Sequence, residues 1–371
     1  MTTEQIYSLV NSVNSQAFGA SALTVTDTTG LISLGNTVLS SSTNTEAFLN
    51  TLAQRIGRTI LRFREYRNKL DDMVLNDFEY GAILQKIKVV MPSAESDDMY
   101  GLTDGQSVDH YVVAKPQAVQ KLFVTRTPYQ YHITIQRETL KEAFLTADAM
   151  GAFIGTVFGE VRNAIEVSLE NLARVTLATA IAEASKVNTR VFNLVTLYNA
   201  ETGSTLTATT AVNDKDFLAY AVAMMNTVRD NMQDMSAMYN DGSVDTFTPA
   251  EDMRLRVISA FHRRLETVVQ YAAFHDELVE FDGKYTVLNW WQSAQTPLGV
   301  NIKTPSDNTN TAVSNVVALL SDRDAMGIYK IDETVLTTPV NAAGAYYNTY
   351  YHEKQLRFID LSENFVIFTL N

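Results

Sequence analysis

Apolar positions fall into separate blocks along the chain, and the spacing within each block predicts an element. Ile6, Leu9, Val10 and Val13 recur at helical spacing behind Thr2 and Gln5, a residue pair that matches a capping box, so a short N-terminal helix is expected. Residues 21–45 are mostly Ser, Thr and Asn and read as a polar arm that cannot make its own core. Phe48, Leu49, Leu52, Ile56, Ile60 and Phe63 then predict a helix over 46–70, with Arg55, Arg58 and Arg62 on another face. A strand-like stretch runs from Ile83 to Met91 and stops at Pro92. A second alternating stretch runs from about His110 through Val112, Val119 and Phe123 to Ile133 and Ile135. Between them lie Glu95, Asp97, Asp98, Asp104 and Asp109 with no basic residue, so the two stretches form a long excursion with an acidic tip. A two-stranded hairpin is barely stable alone, and this one needs a surface to lie on.

The longest periodic signal starts at Glu138 and continues through Leu140, Phe144, Ile154, Phe158, Val161, Ile165, Leu169 and Leu172 to about Lys186. Unbroken, it predicts a helix of about 70 Å at 1.5 Å per residue. Gly151, Gly155 and Gly159 repeat every four residues on one face of it and are expected to mark a close contact or a bend. A membrane dimerisation stripe has the same spacing, but Glu142, Asp148, Glu160 and Arg162 stand too near for that. Beyond Asn188 the chain reads as mixed α/β. Val191 to Tyr198 suggests a strand and Asp214 to about Tyr239 a helix with five methionines, read as core filling. Thr248, Pro249 and Glu251 look like a helix start, and Ala260 to Ala273 like another helix. Residues 285–316 are polar, and short strands follow at 316–320, 327–331 and 365–370, after a tyrosine-rich stretch at Tyr346, Tyr347, Tyr350 and Tyr351.

Charge narrows the function. The 371 residues hold 42 acidic and 29 basic side chains, a net charge of −13, which argues against a dedicated DNA-binding protein. In so acidic a chain the cluster Arg55, Arg58 and Arg62 needs something to meet. Zero cysteines remove disulfides and thiolate chemistry together. The first basic residue is Arg55, so no secretory signal is expected, and the uncharged stretches 5–26 and 285–302 are too interrupted to span a bilayer.

Catalytic patterns are absent one after another. There is no P-loop, no dinucleotide fingerprint at a strand-to-helix turn and no Gly-x-Ser-x-Gly elbow. The five histidines are dispersed. His275, Asp276, Glu277 and Glu280 present metal-ligand chemistry, equally well explained as a solvated helix end or turn. The acidic tip lacks the alternating oxygen ligands of a calcium loop. No enzyme activity, cofactor or metal is expected.

Taken in order, a polar N-terminal arm, a helix, a long two-stranded loop, one very long helix, an α/β middle region and a return of short strands resemble the major capsid proteins of tailed double-stranded DNA phages, the Hong Kong 97-like fold. The strings NDFEYGAILQKIKVVMPSA (76–94), ETLKEAF (138–144), NLVTLYNAETG (193–203), FHDELV (274–279), LLSDRDAMGIYKID (319–332) and NAAGAYYNTYYHEKQLRFIDLSENFVIF (341–368) are similar to segments of such head proteins over nearly the whole chain.

The resemblance implies an α+β fold with an N-arm at 1–70, an extended E-loop at 71–131, a peripheral domain with its spine helix at 132–187, an α/β axial domain at 188–318 and peripheral return strands at 319–371. It also implies hexamers and pentamers of an icosahedral head around double-stranded DNA, a portal protein as partner, and scaffolding by a separate protein, since no long charged helical extension precedes the arm. An encapsulin-type compartment shell shares the fold and is the alternative; an unrelated soluble enzyme or binding protein is the remaining one. The contacts expected between copies pair Glu95, Asp97, Asp98, Asp104 and Asp109 of the tip with Arg55, Arg58 and Arg62 of a neighbour.

Overall fold

The computed structural model describes residues 2–19, 22–56, 66–75, 84–94, 98–109, 111–271 and 285–371. The chain divides into two compact units, one made of 1–81, 126–172 and 328–356 and the other of 82–125, 173–327 and 357–371.

The first unit holds α1 (Thr3–Phe18), α2 (Thr28–Leu39), α3 (Ser42–Ile56), β1 (Val74–Leu75), β4 (Arg126–Gln136), α5 (Arg137–Ala143), the first part of α6 (Ala147–Ala184), most of β11 (Met326–Thr337) and most of β12 (Tyr346–Ile359). Its sheet has the order β1-β11-β12-β4, with β12 and β4 antiparallel and in register from Tyr346 opposite Gln136 to Leu356 opposite Arg126.

The expected capping box is present: Thr2 accepts from the Gln5 amide, while Gln5 accepts from the Thr2 amide. The reading of 21–45 as a coreless arm is corrected. Asp27 caps α2, and Leu31, Leu34 and Val38 recur at helical spacing and are fully buried with Val10, Phe48 and Met150. Three apolar residues per two turns suffice when a neighbouring helix supplies the rest of the core, whatever the average polarity of the segment. The helix predicted to residue 70 does not extend that far, because 66–70 are non-helical and Leu70 leads into a short 3₁₀ turn.

The long helix is present as the 38 residues of α6, and the expectation is corrected only at its start. The helical run breaks after Phe144, and Thr146 Oγ restarts it by accepting from the Ala149 amide at 3.1 Å, acting as an N-cap. Phe144 leaves the helix to fill the space over Gly35, where an added Cβ would sit 2.6 Å from the Phe144 Cβ. The benzyl group explains why α2 carries a glycine on its buried face.

The second unit holds β2 (Leu84–Val89), α4 (Asp98–Gly101), β3 (Ala118–Phe123), β5 (Val191–Asn193), α7 (Leu194–Thr202), α8 (Ala208–Ala211), α9 (Lys215–Asn231), β6 (Met253–Ile258), α10 (Ser259–Tyr271), β7 (Tyr285–Leu288), β8 (Val300–Lys303), β9 (Asn310–Val313), β10 (Val316–Asp322) and β13 (Phe365–Thr369), together with the last part of α6. Its five-stranded sheet runs β5-β13-β10-β6-β7, and every residue of β10 and β13 is buried. Continuous apolar runs are what strands covered on both faces require.

Two expectations fail here. The strand predicted over 191–198 stops at Asn193, because Leu194, Val195 and Tyr198 bury as one face of α7. Thr248 starts no helix; its hydroxyl donates to the buried Asp322 carboxylate at 2.7 Å, and the chain enters β6 instead. The methionines divide: Met225 and Met232 are core, whereas Met235 and Met238 are exposed.

Candidate assembly site

The hairpin of β2 and β3 is antiparallel, with Lys86 directly opposite Lys121. Its alternation is inverted relative to an ordinary half-buried strand. Lys86, Lys88 and Lys121 occupy the sheltered face, and Ile87, Val89 and Leu122 stand 60%, 60% and 56% exposed on the other. The exposed apolar series continues through Met91 and Val124, and toward the tip through Met99, Tyr100, Tyr111, Val112 and Val113.

The sheltered face rests on acids. Lys121 Nζ lies 2.5 Å from Asp241 Oδ2 and 3.2 Å from Asp360 Oδ1, while Lys88 Nζ lies 2.7 Å from Glu363 Oε2. Lys86 Nζ donates to the Asp324 carbonyl at 2.5 Å, sits 3.6 Å from Asp360 Oδ2 and covers the ring of Phe358 at 5.1 Å. Phe123 packs on the same ring, with centroids 5.6 Å apart.

The cradle is built by residues outside the hairpin, one of which, Ser362, also accepts from Lys88 Nζ through its carbonyl at 3.0 Å. Ser362 donates to Asp360 Oδ1 through its amide and its hydroxyl, and Ser243 does the same for Asp241. Arg190, fully buried, donates from Nε to the Asn240 carbonyl at 2.9 Å and from Nη2 to the Leu361 carbonyl at 3.4 Å. It thereby ties together the two loops that carry Asp241 and Asp360. Burial alone would raise both carboxyls, yet Lys121 and Ser243 hold Asp241 below its ordinary range, and Ser362, Lys86 and Lys121 do so for Asp360. Burial likewise works against the Lys121 ammonium, and Asp241 and Asp360 nevertheless keep it above its ordinary range.

Sequence reasoning singled out the acidic tip and passed over these lysines. Their signal was present: in LQKIKV the two lysines stand two apart, in phase with each other and out of phase with Ile87 and Val89. What misleads is the assumption that the apolar face is the one turned inward.

Of the residues expected to join copies, Asp104 and Asp109 are exposed, and Asp109 accepts from the Tyr111 amide at 2.9 Å. Arg58, Arg62, Glu95 and Asp97 lie outside the described residues, as do the side chains of Arg55 and Asp98 and the group His275, Asp276, Glu277 and Glu280. Of the three helical glycines, a Cβ on Gly151 would meet Ile6 Cδ1 of α1 at 2.9 Å, Gly155 is buried, and a Cβ on Gly159 would meet open space. Among the described residues no three His, Asp or Glu side chains are placed to hold a metal, and no helix is long and apolar enough to cross a membrane.

Comparison with known proteins identifies the chain. It is 23% identical over 366 residues to the major capsid protein of Bacillus phage PZA, covering 98% of this chain and 72% of that one. The corresponding protein of Bacillus phage GA-1 is 22% identical over 368 residues, with 98% and 69% covered. Among solved structures, the capsid of Staphylococcus phage Andhra aligns with a TM-score of 0.56 at 11% identity over 85% of this chain and 87% of that chain, which places the fold among the Hong Kong 97-like capsid proteins. A structure of the head fibre and inner core protein of bacteriophage P68 aligns with a TM-score of 0.53 at 12% identity, covering 85% and 87%. The profile of the Phi29-like phage major capsid proteins matches residues 8–369, so this chain belongs to that family and is a structural subunit of a phage head shell, not an enzyme.

Proposed function

We propose that the subunit tiles hexamers and pentamers of an icosahedral head enclosing double-stranded DNA, and that the β2–β3 hairpin is its E-loop, laid over a neighbouring copy. The observation that carries this reading is the outward apolar face of Ile87, Val89 and Leu122, which only a partner can remove from water. The parts follow as an N-arm at 1–70, the E-loop at 71–131, a spine-helix domain at 132–187, an axial domain at 188–318 and return strands at 319–371. The tip carboxylates Asp104 and Asp109, with Glu95, Asp97 and Asp98, meet Arg55, Arg58 and Arg62 of the next copy. Gly151 and Gly155 serve helix packing within the subunit, and Gly159, open there, serves it against a neighbouring copy. A portal protein and a separate scaffolding protein complete the partners. With net charge −13, the subunit contains its genome without sequence-specific binding.

Electron microscopy of the expressed chain and of its double variant Ile87→Asp/Leu122→Asp tests the reading. Shells with six-fold and five-fold clusters are expected from the wild type, and folded but unassembled subunits from the variant. In a reconstruction, tip carboxylates all farther than about 10 Å from any Arg of another chain sink the charge pairing. Normal shells from the double variant sink the hairpin contact.

A further inference from the structure

The register of the hairpin sets a problem that the hairpin itself does not solve. Lys86 and Lys121 face each other directly across the two strands. Like charges at such positions oppose pairing. Asp360, 1% exposed, stands against both, turning Oδ2 to Lys86 and Oδ1 to Lys121. Two strands near residue 100 are therefore completed by a carboxylate near residue 360, held in advance by Ser362.

We propose that this arrangement is an electrostatic latch: Lys86, Lys88 and Lys121 seat the hairpin in a carboxylate cradle of Asp241, Asp360 and Glu363, and the hairpin leaves that seat when the ion pairs are screened. Three features of the site support it. The sheltered face of β2 and β3 offers Leu84, Val119 and Phe123 as its apolar residues, and Phe123 on Phe358 forms a pivot at the base while the lysines hold the strands farther out. The lysines keep 20–29% side-chain exposure, so dissolved ions reach them, and an apolar seat would not respond to salt in this direction. The acids are positioned from outside the hairpin, by Arg190, Ser243 and Ser362 through bonds to the carboxylates and to the loops that carry them, and the Ser362 carbonyl adds a seat for Lys88 at 3.0 Å. Arg190 is accordingly a positioning residue for the latch. A seat of this kind holds the hairpin in the free subunit and lets its angle change as its outer face meets a neighbour; that purpose rests on the assembly reading above, whereas the latch itself does not.

The test is hydrogen exchange of the full-length, unassembled subunit, followed by mass spectrometry at about 0.01 M and about 1 M NaCl, where the screening length falls from about 30 Å to about 3 Å. Exchange at 84–89 and 118–123 is expected to accelerate about tenfold in high salt while β10 and β13 stay unchanged, as the loss of several weak pairs together implies. Lys121→Glu, which sets a carboxylate against both Asp241 and Asp360, is expected to exchange quickly at both salt concentrations, and Lys121→Arg to keep slow, salt-sensitive exchange. Salt-independent protection of both strands in the wild type overturns the latch, as does a folded Lys121→Glu with wild-type protection. Should Lys121→Glu fail to fold, the wild-type salt series decides alone. Because shells are scored by microscopy and the latch by exchange, either reading can fail while the other stands.

Discussion

The central sheet of the second unit and the β2–β3 hairpin are both β-structure, yet opposite forces hold them. In β10 and β13 every side chain is buried, and the strands pair Ala318 with Phe368 and Leu319 with Ile367 inside an apolar core. In the hairpin Ile87, Val89 and Leu122 face outward, while Lys86, Lys88 and Lys121 share the sheltered face with Leu84, Val119 and Phe123. Burial of apolar area is non-directional and strong, at about 25 cal/mol per Å², and gives an element that opens only with the whole domain. Partly exposed ion pairs contribute about 0–1 kcal/mol each and give an element that can be released locally. The shell subunit thus has a body that stays rigid and an extension whose attachment responds to its surroundings.

The largest expected effect breaks the rigid side. Phe368→Ala removes a ring that packs 5.7 Å from Phe192 in a fully buried site and is expected to cost about 3–5 kcal/mol. Urea unfolding of the whole subunit measures it, and a loss under about 1 kcal/mol would contradict the picture of a close-packed sheet. Arg190→Met lies between the two regions. It removes the Arg190 bond to the Asn240 carbonyl and the longer of two bonds to the Leu361 carbonyl, which keeps the Asp241 amide at 2.8 Å; this loosens the cradle, for a cost of about 2 kcal/mol, and should also speed exchange in β2 and β3 more than in β10. Equal acceleration in both regions would reduce Arg190 to a general core residue.

The smallest effect sharpens the contrast through pH. Asp241 and Asp360 have depressed folded pKa values, so their contribution is complete above the ordinary carboxylate range near 4 and is lost as pH falls through the folded values. Lys121 has a raised folded pKa, so its contribution is complete below about 10.4 and is lost as pH rises through the folded value. Asp322, raised by burial with the charges of Glu363 and Asp324 adding to the shift and hydrogen bonds from the Asp324 amide and Thr248 opposing it, works the other way, because it takes up a proton first in the folded state. Glu353, buried on β12 in the first unit, is raised by burial, with Glu333 and Glu166 adding to the shift and Lys330 opposing it. Acid should therefore deprotect the hairpin while the sheet of the first unit gains slightly. Exchange corrected for intrinsic rate, compared between about pH 3 and pH 7, separates the two, and deprotection of β12 before β2 would reverse the assignment.

Several features of this molecule were legible in the residue order. The capping box of α1, the alternation that makes β2, the apolar runs of β10 and β13 and most of the long helix follow from local chemistry, and the succession of elements carried the resemblance to phage head proteins. The exceptions share one cause. Phe144 breaks a helix that its neighbours would continue because Gly35 leaves room for its ring, and Thr248 declines to cap a helix because a buried Asp322 requires its hydroxyl. The α2 segment looks too polar to fold until α1, α3 and α6 supply three sides of its core.

The hairpin marks the boundary most clearly. The sequence by itself determined that 84–89 is a strand with Lys86 and Lys88 on one face and Ile87 and Val89 on the other, since side chains alternate along extended backbone. Which face turns inward was decided only by the tertiary structure. Asp241 and the loop of Asp360 and Glu363 lie far apart in the chain and converge because β13, β10 and the buried Arg190 bring the two loops together. Alternation is a property of neighbouring residues, whereas the sign of the surface opposite them is a property of the fold.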